Sequence, residues 1–154
     1  MNPTKKLLRV LKLDQILDRF RVLENAPMPK MGWIRTVRLT LGMSMRQLGE
    51  RMGVSPQAVQ QMEDREALGT ITLESLQAAA HALEMKMVYT FLPGEETLEA
   101  MVETRAVELA QEIVLKAIQD MEPEEREQAR PKIEKAILEK AVELKNKMGR
   151  GFWD

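Results

Sequence analysis

The stretch that decides the fold is "SMRQLGERMGVSPQAVQQMED", residues 44–64. Ser44 stands where a helix N-cap belongs, and Gln47, three residues later, completes a capping box. A first helix is therefore predicted to run to about Met52. Gly53 can adopt the left-handed conformation that ends a helix and reverses the chain. The stretch thus begins with a short capped helix that closes in a tight turn.

A second helix is predicted directly after the glycine turn. Ser55 is expected to cap it, and Pro56 occupies its first position, where a missing N–H costs nothing. Gly49 lets the two helices approach closely. The side chains predicted to point inward are Leu48, Met52, Val54, Val59 and Met62. Two short helices around such a turn indicate helix-turn-helix geometry.

The outward face of the second helix carries three glutamines in a chain that is 31% charged. Gln57 and Gln61 lie one above the other, with Gln60 beside them. A carboxamide offers a donor and an acceptor, so it can pair with N6 and N7 of adenine in the major groove, and Ala58 can offer a methyl group to thymine. We predict that these four residues read base edges of double-stranded DNA. The alternative is that glutamine is simply tolerated on a helix surface.

Contacts to phosphate are predicted at helix N-termini and at nearby basic or hydroxyl side chains. The candidates are Ser44, Arg46, Ser55, Arg65, Thr70 and Thr72. Thr72 can instead serve only as the cap of the helix "LESLQAAAHAL", and Arg35 either reaches DNA or stays solvated.

The composition favours helices throughout. The chain of 154 residues is 44% hydrophobic but only 4% aromatic, which favours helix over sheet. We predict an all-α fold with an N-terminal amphipathic helix and linker (1–30), a helix-turn-helix DNA-binding domain (31–93) and a C-terminal helical region (94–154). The apolar stripe of the first helix predicts packing on the helix-turn-helix bundle, and nonspecific DNA contact by its basic residues is the alternative.

One segment differs from this helical pattern. "MVYTFLP" (87–93) is rich in β-branched and aromatic residues, so a short β-strand is predicted there. Its residues are Met87, Val88, Tyr89, Thr90, Phe91 and Leu92. We expect this strand to pair with its twofold copy in a homodimer. The alternatives are an extended linker, or dimerisation through the helices predicted at 95–121 and 123–148.

Charge is unevenly distributed along the chain. Residues 1–41 hold nine Lys/Arg against three Asp/Glu, a net of +6, and residues 93–154 hold ten against fifteen, a net of −5. The basic front can face phosphate, and the acidic rear cannot. The chain has no cysteine and no apolar run near the ~18 residues of a membrane span. We therefore expect a cytoplasmic, nucleoid-associated protein without membrane contact.

No catalytic pattern is recognisable. His81 is the only histidine and is predicted to be a part-buried helix residue. No His, Cys or carboxylate cluster has metal-ligand spacing, and neither a glycine-rich phosphate loop nor a nucleophile elbow is present. We expect no enzyme activity, no metal site and no cofactor.

Residues 32–84 resemble the lambda-repressor/Cro-like (XRE-type) DNA-binding domain, and the pattern that carries the resemblance is "IRTVRLTLGMSMRQLGERMGVSPQAVQQMEDRE…TLESLQAAAHALEM". The resemblance implies about five short helices, with the third in the major groove. It also implies a structural ion pair between Arg38, late in the first helix, and Glu63, at the end of the recognition helix. Two features depart from the pattern: Met45 stands where many members have glutamine, and the loop "DREALGTI" (64–71) is a few residues longer.

Residues 31–55 with 69–93 are similar to a narrower family, mobile mystery protein A, whose genes usually neighbour one for a Fic-domain protein. This neighbour implies a toxin–antitoxin-like role, with a Fic-domain protein as a possible partner. The glutamines of the second helix predict a sequence-specific repressor of its own operon. The alternative is an antitoxin that neutralises a partner toxin by direct binding through its acidic tail. The inhibitory Fic motif, Ser/Thr-x-x-x-Glu-Gly/Asn, is missing from the sequence.

Overall fold

A computed structural model describes residues 4–154 of the chain. Over this range the regular elements are all helical, as the composition predicts, and no β-strand is formed. They are α1 (Lys5–Asp18), a 3-10 turn (Arg21–Leu23), α2 (Trp33–Thr40), α3 (Met45–Met52), α4 (Pro56–Leu68), α5 (Leu73–Ala82), α6 (Leu98–Ala117), α7 (Pro123–Gln128) and α8 (Arg130–Lys147). None of these helices combines the length and the apolar composition that a bilayer crossing requires.

The chain divides into two compact units. The central unit comprises residues 25–90 and contains α2 to α5. The tail unit joins residues 4–24 with residues 91–154, and therefore contains α1 together with α6, α7 and α8.

The central unit packs around one apolar core. Its buried members are Ile34, Leu48, Val59, Ala79 and Leu83. Leu48 from α3 and Val59 from α4 are fully buried, and Met52 and Met62 pack against them half-buried, as their spacing predicts. Together these side chains fix α3 and α4 against the rest of the unit.

Val54 corrects the sequence-based interpretation of the turn. Its side chain is 39% exposed and is not a buried residue of the turn. Its backbone contacts α3 instead: the Val54 N–H donates to the Gly49 carbonyl at 2.9 Å. A Cβ on Gly49 would lie 2.6 Å from the Val54 carbonyl oxygen, so this close approach of the two helices requires glycine.

The tail unit is held by α1, α6 and α8. Its buried core residues are Val102, Ala106, Ala110, Ala141 and Phe152. The Asp14 carboxylate accepts the backbone N–H groups of Leu98 at 2.7 Å and Glu99 at 3.0 Å. Because these are orphan donors at the start of α6, Asp14 attaches α1 to α6 by a helix cap contributed from 84 residues away.

Many cations of the tail unit are already engaged by carboxylates. Lys145 on α8 lies 3.1 Å from Glu99 and 2.7 Å from Glu103 on α6. Partial burial lowers the pKa of Lys145, but the hydrogen bonds to Glu103 and Glu99 outweigh it and hold the pKa above its ordinary value. Hydrogen bonds from Lys147 and Lys140 hold the pKa of Glu143 below its ordinary value.

The strand expected at 87–92 is not formed. The six residues concerned are Met87, Val88, Tyr89, Thr90, Phe91 and Leu92, and they have no regular secondary structure. β-branched and aromatic residues favour an extended backbone, but a strand also needs a neighbouring strand to share its hydrogen-bond ladder. The helices of residues 4–154 offer no such ladder.

Candidate nucleic-acid interface

Caps define both helices of the turn. The Ser44 hydroxyl accepts the Gln47 N–H at 3.1 Å, and the Gln47 side-chain oxygen accepts the Ser44 N–H at 2.8 Å, which is the predicted capping box. Gly53 ends α3 with φ +70°. Ser55 then caps α4 by accepting the Ala58 N–H at 3.1 Å. The local chemistry of the sequence thus places α4 directly behind a tight turn.

The three glutamines of α4 lie together on its exposed side. Gln57, Gln60 and Gln61 fall within about 100° of arc around the helix axis, and all three are exposed. We call them the glutamine face. Val59 and Glu63 lie on the other side of the helix and are buried. The glutamine amides are therefore free to meet a ligand while the opposite side of α4 is held in the core.

A buried ion pair holds that opposite side. The Arg38 Nε and Nη2 atoms donate to the Glu63 carboxylate at 2.5 and 3.1 Å, and the two residues are only 5% and 3% exposed. Arg38 Nη1 also donates to the Met43 carbonyl at 2.9 Å. The bidentate geometry fixes both the position and the rotation of α4 relative to α2.

Residues 34–89 match the family model described as Helix-turn-helix. The match covers 56 of the 154 residues and identifies this segment as a helix-turn-helix domain of the lambda-repressor-like class. The chain matched no curated protein and no solved structure. In this domain α3 and α4 are the two helices of the motif, and the glutamine face belongs to its recognition helix.

Ala58, the fourth predicted base-reading residue, lies at the edge of the exposed arc and is half-buried. Asp64, which the sequence reasoning missed, is exposed within the arc of the glutamines and one turn further along α4. Its carboxylate repels phosphate but can accept a hydrogen bond from N4 of cytosine. The exposed face of the recognition helix is therefore neutral at its start and acidic one turn later.

The predicted phosphate contacts are all exposed in the helix-turn-helix domain. They are Ser44, Arg46, Ser55, Arg65, Thr70 and Thr72. Several are already engaged: Arg46 is ion-paired with Glu50 on its own helix, and Thr72 caps α5 by accepting the Ser75 N–H at 3.1 Å. Among the described residues, the Arg65 guanidinium forms no ion pair and remains available to an anion. The role of all six at phosphate stays a prediction.

A second tie between α2 and α4 was not predicted. The recognition helix continues to Leu68, so most of the loop predicted at 64–71 is helical. This extension carries Glu66, whose carboxylate accepts the Ile34 N–H at 2.8 Å at the start of α2. Gly32 is needed beside it, because a Cβ there would lie 2.6 Å from the Glu66 oxygen and its φ is +84°. The one sequence signal for this contact was that Gly32 and Trp33 begin α2 without a side chain that could cap the helix, so its first N–H groups need an acceptor from elsewhere.

Two further sequence-based expectations concern packing and metal binding. His81 is exposed on α5, so its predicted partial burial is wrong.

Met45, where related domains carry glutamine, is half-buried against the core and contributes packing. In residues 4–154 no group of three or more His, Asp or Glu side chains is placed to hold a metal ion.

Replacing Arg38 by methionine is expected to destabilise the central unit by roughly 3–5 kcal/mol, because it leaves the Glu63 carboxylate buried without a partner. The unfolding of this unit can be followed through Trp33 in a Trp153→Phe background, where Trp33 is the only tryptophan. Urea titration of that fluorescence gives the free energy of unfolding.

Two variants control this measurement. Arg46→Met removes one partner of a solvent-exposed pair and should cost less than about 1 kcal/mol. The double variant Arg38→Met, Glu63→Met removes both buried charges and should recover most of the lost stability. Equal losses from Arg38→Met and Arg46→Met would contradict the structural role of the buried pair.

Proposed function

We propose that this protein is a sequence-specific transcriptional regulator that binds double-stranded DNA and represses its own operon, in the cytoplasm and at the nucleoid. The observation that carries the proposal is the glutamine face, exposed on a recognition helix whose opposite side is locked. The activity assigned is binding, and no catalytic step, metal or cofactor belongs to it.

The chemistry of the exposed face favours sequence reading over general affinity for DNA. Lysine or arginine side chains would attract any phosphate, whereas a carboxamide gains free energy mainly where its donor and acceptor meet a matching base edge. Each good pairing discriminates against a wrong base by roughly 1–3 kcal/mol. The Arg38–Glu63 pair supports this role, since it keeps the helix from rotating when the amides are desolvated.

A single helix-turn-helix domain would contact only a short DNA segment. We therefore propose that the protein acts as a homodimer, whose two domains bind half-sites about 34 Å apart. An exposed apolar surface supports this proposal. Val88 and Tyr89 are 63% and 62% exposed, and Met85 next to them is half exposed. Met85 also lines an apolar groove of the central unit with Val37 and Leu83. Apolar surface of this kind marks interfaces in proteins.

A protein with Gln57→Ala and Gln61→Ala should retain its fold but lose selectivity. The preference for a selected operator over the same duplex with altered bases is expected to fall by about 10-fold or more, because two base-reading groups are gone. Competition binding at one stated salt concentration measures the ratio. The matched control is Gln111→Ala, Gln128→Ala, which removes two exposed helical glutamines from the tail unit. Unchanged selectivity in the first variant would contradict the proposal.

The dimer proposal is tested by charging the apolar surface. Val88→Glu with Tyr89→Glu should convert a dimer into a monomer at micromolar concentration in sedimentation equilibrium, because like charges would meet at the interface. The matched control is Leu138→Glu, Val142→Glu, which charges similarly exposed residues of α8. A dimer broken by the control alone would assign the interface to the tail helices, and a monomeric natural protein would contradict dimerisation altogether.

A second candidate function is neutralisation of a toxin by direct binding, with a Fic-domain protein as the partner that the family resemblance suggests. The supporting observation is the acidic α7 region, where Glu122, Glu124 and Glu125 are exposed and form no ion pair with the rest of residues 4–154. Co-purification with the neighbouring gene product is expected, and it should weaken when these three residues become glutamine. No complex at all would leave repression as the only role.

A further inference from the structure

The outer face of α1 carries four exposed cations, with the exposed side chain of Ile16 among them. Lys5, Arg9, Lys12 and Arg19 fall within about 80° of arc at 100° per residue, and all four are exposed. Arg19 is the C-cap and keeps helical backbone angles, so it continues the same row. We call these four residues the α1 basic face. It extends roughly 21 Å at 1.5 Å per residue.

No carboxylate neutralises this face. The two acidic residues of α1 are engaged elsewhere: Asp14 caps the start of α6, and Asp18 pairs with Arg21 at 3.5 Å. Within residues 4–154, none of the four cations of the α1 basic face forms an ion pair or a side-chain hydrogen bond. Their charges are therefore fully available to an external anion.

This availability contrasts with the other helices of the tail unit. There, six of the cations are paired with nearby carboxylates, namely Arg105, Arg130, Lys135, Lys140, Lys145 and Lys147. Pairing within or between helices is thus the common arrangement in this unit. The α1 basic face departs from it over four turns of helix.

We propose that the α1 basic face binds the phosphate backbone of duplex DNA beside the operator that the glutamine face reads. One strand of DNA carries a negative charge per about 3.4 Å of the axis, so cations spread over roughly 21 Å can lie along about six phosphates of one strand. Each neutralised phosphate releases counterions, which gives affinity without sequence preference. The inference rests on the proposed DNA-binding function and adds a second, nonspecific contact to it.

Duplex DNA fits this face better than the other anionic partners. A membrane-surface helix must insert one continuous apolar side between lipids, but that side of α1 is occupied, with Leu7 buried and Val10 packed on the tail core. Leu8, Leu13 and Ile16 are exposed, but they alternate around the helix with the four cations and form no separate apolar side. The same chain carries the helix-turn-helix domain, so DNA bound there is held at high effective concentration near any tethered cation. An acidic protein has no comparable tether.

The test compares the salt dependence of binding in two variants with equal loss of charge. The α1 variant is Lys5→Gln, Arg9→Gln, Lys12→Gln, Arg19→Gln. The control variant is Lys116→Gln, Lys132→Gln, Lys135→Gln, Arg150→Gln, four exposed cations of α6, α8 and the C-terminus. The probe is the selected operator duplex, prepared with and without 15-base-pair flanks.

For the flanked duplex, the slope of log K against log salt should become shallower by about 3–4 in the α1 variant, close to 0.9 per lost contact. It should stay near the natural value in the control. The α1 variant should also keep its preference for the operator over altered duplexes, which the glutamine variant loses. Exchanging lysine for arginine and arginine for lysine at the four positions should preserve the natural slope, because only the charge is needed.

Three outcomes would overturn the inference. An unchanged slope in the α1 variant would show that the face does not meet DNA, and equal changes in both variants would show only an effect of net charge. Loss of binding to anionic vesicles or to an acidic protein, with DNA binding intact, would assign the face to that partner. A natural protein that binds no duplex would overturn the proposed function as well, so the two failures are distinguishable.

Discussion

The buried pair of Arg38 and Glu63 is the constraint on which the DNA-reading geometry depends. Two charges removed from water are costly unless their hydrogen-bonding groups are satisfied. Here the guanidinium donates twice to the carboxylate and once to the Met43 carbonyl, so one side chain ties α2, the loop after it and α4. An apolar contact would tolerate rotation of α4, but a bidentate pair does not. The direction of the glutamine face is therefore set from inside the domain.

Sequence reasoning succeeded where a structure is determined by neighbours in the chain. The capping box at Ser44, the left-handed Gly53 and the Ser55 cap each involve residues within a few positions, and all three are formed as predicted. The full burial of Leu48 and Val59 followed from helical spacing. Because these signals converge on 44–64, the helix-turn-helix and the exposed glutamines could both be derived before any coordinates.

The failures share a different cause, which is contact between distant segments. Glu66 meets Ile34 across 32 positions, and Asp14 meets Leu98 across 84. No local sequence pattern indicates such pairs. The contact of Glu66 with α2 and the packing of α1 on the C-terminal helices were therefore not predicted. The strand at 87–92 failed for the same reason, since an extended sequence cannot indicate whether a pairing partner exists. The predicted burial of Val54 was wrong because its backbone carbonyl, and not its side chain, faces Gly49.

The distribution of unpaired cations in the molecule complements the chemistry of the glutamine face. Three carboxamides discriminate between bases but contribute little long-range attraction, and Asp64 beside them opposes the approach of phosphate. With a net charge of −1, the chain as a whole supplies no compensating field. Affinity must then come from cations that the protein's own carboxylates have left unpaired. Carboxylates engage six cations of the C-terminal helices but none of the α1 basic face, so this face and the unpaired Arg65 of the central unit can supply the nonspecific attraction that the glutamine face lacks.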